Sequence, residues 1–123
     1  MAFRFDGTRI IGPRGDSGSL IFTAENAADF TGADRLVFYL SRRGSGGVLL
    51  TRAMEIDGDG RAVLELAPVD TAALAPGVYV WSARYVLGAV IDSAGGVTGG
   101  SWVETPWRNC EFEVLEVNGQ LCR

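Results

Sequence analysis

The most regular pattern in the chain runs from Val78 to Leu87. Tyr79, Trp81, Ala83, Tyr85 and Leu87 fall on one parity, and Val78, Val80, Ser82, Arg84 and Val86 on the other. A period of two built from aromatic and β-branched residues predicts a long strand, because successive side chains leave opposite faces. Shorter runs of the same kind lie on either side. Residues 2 to 12 alternate weakly and predict a first edge strand ended by Gly12-Pro13, followed by a turn at Arg14 to Ser17. Ser19 to Ala24 predicts a second strand, with Leu20, Phe22 and Ala24 inward. Glu25 to Asp34 reads as a loop whose Phe30 tucks back. Arg35 to Arg42 is a third strand with apolar residues on both faces: Leu36, Phe38 and Leu40 on one, Val37 and Tyr39 on the other.

A Gly-Ser turn at Gly44 to Gly47 leads into a fourth strand, Val48 to Ile56. Asp57-Gly58-Asp59-Gly60 is a hairpin signal. Arg61 to Ala67 then alternates cleanly, with Ala62, Leu64 and Leu66 in and Arg61, Val63 and Glu65 out. Asp70 and Thr71 open a short turn that Leu74 closes, and Pro76-Gly77 starts the long strand. Gly88 to Ser101 is Gly-rich and reads as a long mobile hairpin tip. Beyond Pro106 the final strand, Arg108 to Val114, turns Cys110, Phe112 and Val114 in and Glu111 and Glu113 out. Leu115 and Val117 change parity, which fits a bulge or the strand's end.

About seven or eight short strands, with no helical period over ten residues, predict an all-β fold, an antiparallel β-sandwich with a closed barrel as the alternative. Tyr79 follows a Leu-x-x-Gly corner, where its hydroxyl can bond back to the preceding turn. That is the tyrosine corner of immunoglobulin-like sandwiches, so the expected fold is an immunoglobulin-like sandwich. Its core is expected at Phe38, Leu74, Gly77, Tyr79, Trp81 and Phe112. At 123 residues, residues 1–123 form a single domain.

Composition narrows the function. A net charge of −4 argues against nucleic-acid binding. No segment reaches the roughly 18 apolar residues of a membrane span, and charges at Arg4, Asp6 and Arg9 make the start unlike a secretory signal. The chain is therefore expected to be made and assembled in a cytoplasm. There is no histidine, so hydrolase mechanisms lose their usual base or metal ligand. Asp57 and Asp59 suggest a calcium loop, but its fifth and twelfth places hold Arg61 and Pro68, and the turn reading is preferred. No metal, cofactor or catalytic residue is expected. The two cysteines, Cys110 and Cys122, read as a buried thiol and a tail thiol, with a disulfide as the minority reading. Arg14-Gly15-Asp16 matches an integrin-recognition tripeptide, yet it also simply begins strand two. Trp102 and Trp107 could stack on a glycan, or cover an end of the sandwich or an interface.

The order of motifs carries a resemblance. Gly15-Asp16, then Asp29-Phe30-Thr31-Gly32-Ala33, the Asp-Gly hairpin, and Asp70-Thr71-x-x-Leu74-x-x-Gly77-x-Tyr79 together resemble the immunoglobulin-like domains of tailed-phage virion proteins. Nearest in pattern are the N-terminal domains of baseplate upper proteins and small head, neck or tail accessory proteins. The likeness spans Gly15 to Leu87. It implies a non-enzymatic structural protein of the virion, made in the host cytoplasm, that docks onto other virion proteins or onto itself as a homo-oligomer. Longer members carry a C-terminal helical or fibre region that this sequence lacks, which favours a decorating or adaptor subunit. The alternative is a free-standing carbohydrate- or cell-surface-binding module using Trp102 to Trp107. For the assembly reading the expected interface is the outer face of the third strand and the long strand from Val78 to Leu87, where Val37, Tyr39, Val78, Val80 and Val86 point away from the core; the alternative is that Trp102 or Trp107 folds over that face from within the chain. Such a face should be polar if it met only water.

Overall fold

A computed structural model describes residues 2–23, 34–44, 47–57, 60–92 and 97–116, with backbone alone for 103–106. The elements in chain order are β1 (Arg4–Asp6), β2 (Arg9–Pro13), β3 (Gly18–Thr23), β4 (Arg35–Arg42), β5 (Val48–Glu55), β6 (Arg61–Leu66), α1 (Pro68–Ala72), β7 (Gly77–Ile91) and β8 (Val97–Leu115). They form an all-β sandwich. One sheet has six strands in the order β1-β2-β8-β7-β4-β5, and the other pairs β3 with β6. β3 and β6, which precede and follow the β4–β5 hairpin in the chain, pair with each other in the second sheet, as in immunoglobulin-like sandwiches. The strand ladders are antiparallel except that β2 runs parallel to β8, and the isolated bridge between Phe3 and Gly18 is also parallel.

Several local expectations are corrected. The first segment is two strands, because Gly7, at φ 66°, lets the chain reverse between β1 and β2. Pro13 lies within β2, at its pairing with Leu115 near the end of the ladder. The Asp57–Gly60 turn forms, with Gly60 N–H on the Asp57 carbonyl (3.0 Å) and Asp57 N–H on the Arg61 carbonyl (2.9 Å). It does not make a hairpin within one sheet. After a single bridge between Ile56 and Ala62 the chain passes to the opposite sheet, closing one corner of the sandwich. The Gly-rich stretch after Leu87 is not a bare tip: β7 and β8 stay paired as far as Ile91 and Val97, through a series of register shifts. Ala24, Phe30 and Cys122 lie outside the described residues.

The core is aromatic. Phe38, Trp81 and Phe112 are fully buried, and Tyr79 and Leu74 nearly so. Trp81 sits at the centre, with ring centroids 5.6 Å from Phe22, 5.9 Å from Phe38 and 6.4 Å from Trp107. Its indole N–H donates to the Thr8 carbonyl at 3.0 Å, so the β1–β2 turn satisfies the one polar atom of the ring. Gly12 leaves room for Phe3, whose ring a Cβ there would meet at 2.5 Å. Gly77 does not belong to this core. It is exposed, at φ 147°, a conformation side-chain-bearing residues rarely adopt, and its part is to turn the chain into β7.

The corner before β7 is built from short polar links. Asp70 Oδ2 accepts from Ala67 N–H (2.9 Å), and Asp70 Oδ1 pairs with Arg52 on β5 at 2.6 Å. Thr71, fully buried, accepts from Gly15 N–H and donates to the Asp16 carbonyl, each at 3.0 Å. Leu74 N–H closes on the Thr71 carbonyl at 3.1 Å. The Tyr79 hydroxyl donates to the Ala75 carbonyl at 2.7 Å, forming the tyrosine corner.

Candidate functional site on the outer face of the large sheet

On the outer face, register alone brings distant residues side by side. Val37 lies opposite Arg84, Tyr39 opposite Ser82, and Ser41 opposite Val80. From the other flank of β7, β8 sets Trp102 opposite Val86 and Glu111 opposite Val80. Pairs in register share a face, so these residues form one surface.

This face is not the open apolar patch that the alternation predicts. Val37 and Val86 are completely buried. The returning arm of β8 lies so close that a Cβ on Gly100 would come within 2.6 Å of Val86 Cγ1. Asp34, itself buried, accepts from Gly88 N–H at 2.9 Å and anchors the bend of the arm. The cover over Val86 is thus intramolecular. Val78, Val80 and Tyr39 remain partly exposed.

What remains open is a groove of about 400 Å³, lined among others by Tyr39, Arg42, Val48, Val80, Ser82 and Arg84. Beside the groove Trp102 packs against Tyr39, with ring centroids 5.3 Å apart. The Arg84 guanidinium stacks on both rings, its carbon 4.9 Å from the Trp102 centroid and 5.8 Å from that of Tyr39. Burial raises the Tyr39 phenol to about 12, against a smaller lowering by Arg84. The phenol is therefore a neutral hydrogen-bonding group at any physiological pH.

A β-bulge shapes the far wall. Trp81 pairs with Cys110 but Ala83 pairs with Trp107, so Arg108 and Asn109 together oppose the single residue Ser82. Asn109 sits at φ 52°, a left-handed conformation that asparagine tolerates better than most residues. Its N–H donates to Ser82 Oγ at 3.2 Å. The bulge brings Arg108 and Asn109 to a second hollow that shares Ser82 and Arg84 with the groove.

The remaining candidates separate. Trp107 packs edge-on against Phe22 at 5.2 Å, on the core side, whereas Trp102 lies on the outer face. The two tryptophans therefore do not make a common stacking platform for a glycan. The Arg14-Gly15-Asp16 turn is strapped to α1 through Thr71, and Arg14 Nε bonds the Ala72 carbonyl at 3.1 Å, unlike a free projecting recognition loop. Cys110 is half-buried, and burial pushes its thiol upward despite a lowering hydrogen bond from Thr8. Among the described residues there is no cluster of three or more metal-ligating side chains, and no helix is long and apolar enough to cross a membrane.

No protein-family model and no curated protein matches the chain. Sequence reasoning placed Tyr39 and Val80 on this face but missed Arg42, Ser82, Arg84, Arg108 and Asn109 as parts of one groove. A usable signal existed: Arg108-Asn109 is a poor strand dipeptide inside an otherwise good strand, as a bulge requires.

Proposed function

We propose that this protein is a non-enzymatic docking module, a structural component of a tailed-phage virion. Its groove on the outer face of the six-stranded sheet would engage another virion protein or a second copy. The observation that carries the docking reading is the groove itself. Its lining joins a half-buried tyrosine, exposed arginines and two valines, with the exposed Trp102 packed on the tyrosine beside it, a composition favoured at the centres of protein–protein interfaces. The virion assignment rests on the motif resemblance from Gly15 to Leu87, supported by the sandwich and its tyrosine corner.

The test is complementation of a phage genome deleted for this gene, using wild type or the double variant Tyr39→Glu with Val80→Lys, once circular dichroism shows that the variant folds. Wild-type chain should be found in purified particles and the double variant should be lost from them. Equal incorporation of the double variant would remove the groove as the interface. Wild-type chain absent from particles would overturn the virion assignment.

A further inference from the structure

We infer that the groove takes an acidic segment of a partner protein, seating carboxylates against Arg84 and Arg108; this rests on the docking reading above. All cationic side chains in this sequence are arginine, and the chain as a whole is acidic, at −4. Elsewhere most of the described arginines face carboxylates, and Arg14 bonds the Ala72 carbonyl instead. Arg9 faces Asp6 and Glu113, Arg35 faces Glu55, Arg52 faces Asp70, and Arg61 faces Asp57. Arg43 meets Glu111 at 4.0 Å, which also occupies the carboxylate that shares the outer face with Val80. Arg42, Arg84 and Arg108 differ. Each is exposed, none has a carboxylate partner among the described residues, and all three line the two adjoining hollows.

Their setting suits carboxylates. Arg84 lies over the packed Trp102 and Tyr39 rings, which orients a planar guanidinium and leaves less freedom to lose on binding. A guanidinium fork matches a carboxylate in two parallel hydrogen bonds. Arg108 is delivered by the bulge to the hollow that Arg84 also lines, where Asn109 and Ser82 are further polar residues. Like charges around the two adjoining hollows, Arg42 with Arg84 in one and Arg84 with Arg108 in the other, repel one another, and an anion relieves that repulsion. Val48 and Val80 in the same groove offer apolar contact but no hydrogen bonds from their side chains, which favours a peptide of alternating acidic and apolar residues over an acidic sugar.

The experiment uses fluorescence anisotropy with a labelled ten-residue peptide of alternating Glu and Val, the same peptide with Gln for Glu, and a labelled oligogalacturonate. At low salt the Glu peptide should bind at least tenfold more tightly than the Gln peptide or the sugar. Arg84→Glu and Arg108→Glu should each weaken it at least tenfold, and Arg84→Lys by less. Arg61→Glu, on the opposite sheet, should change it less than threefold. Equal binding of the Glu and Gln peptides, or equal losses in Arg61→Glu and Arg84→Glu, would overturn the inference. Preferential binding of the oligogalacturonate would overturn the peptide assignment. If Tyr39→Glu with Val80→Lys abolishes incorporation into particles while Arg84→Glu with Arg108→Glu does not, docking stands and the acidic partner fails.

Discussion

The two sheets of this sandwich handle their outer faces differently. In the β3–β6 sheet, burial alternates residue by residue along both strands, and Ile21 and Val63, paired across the sheet, simply face solvent. In the six-stranded sheet β4 breaks that rule: Leu36, Val37 and Phe38 are buried in succession. The same is true of Tyr85 and Val86 on β7. For Val86 the cause is the long β7–β8 arm, whose Gly100 lies against its side chain on the side away from the core. An apolar outward residue thus has two opposite meanings in one small protein. On the small sheet it is a tolerated exposed side chain; on the large one it is a second layer of packing beside a binding groove.

The largest expected effect lies on the inner face, where the contrast has its reference point. Trp81→Ala removes the ring that joins Phe22, Phe38 and Trp107, and should destabilise the protein by about 3–5 kcal/mol in chemical denaturation. A loss below about 1 kcal/mol would mean that the centre of the core lies elsewhere.

Val86→Ala tests the second layer directly. It should cost about 2 kcal/mol, as for a core valine, although its parity is outward. A near-neutral result would return Val86 to the exposed class and make the two sheets alike.

Tyr79→Phe deletes only the hydroxyl that bonds the Ala75 carbonyl, and should cost about 1 kcal/mol. Its neighbours in the corner, Asp70 and Thr71, retain their own partners, so the melt should remain a single cooperative transition.

Tyr39 gives a pH test of the roofed face. Its phenol, held near 12 by burial, is raised above its unfolded value, so the neutral form is the one folding favours. The contribution to stability should be fully present below about pH 10 and decline as the pH rises toward 12. In Tyr39→Phe that part of the alkaline decline should vanish, and in Arg84→Ala the absorbance titration of Tyr39 should move further upward. An ordinary titration of Tyr39 in the folded wild type would show that the phenol is wetter than its packing against Trp102 implies.

The smallest effect belongs to the open sheet. Val63→Thr should change stability by no more than about 0.5 kcal/mol, because Val63 is exposed and no partner strand covers it among the described residues. A loss as large as that of Val86→Ala would mean that the small sheet also is covered in solution.

Local pattern determined much of this protein. The parity of Leu20 and Phe22, of Ala62, Leu64 and Leu66, and of Tyr79, Trp81 and Phe112 is a property of the pleat, and it predicted which way each side chain turns. The corner from Asp70 to Tyr79 was likewise legible, because its hydrogen bonds run mostly between residues a few positions apart. Tertiary structure alone decided the rest. That β2 would run parallel to β8, that the Asp57–Gly60 turn would change sheets, and that Arg14 to Asp16 would strap onto Thr71 all depend on long-range pairing. The groove depends on it most. Tyr39, Arg84, Trp102 and Asn109 meet only because the register of β4 on β7 and the bulge of β8 against Ser82 align them. A period of two fixes the face of a side chain, whereas its cover and its neighbours are set by strands far away in the chain.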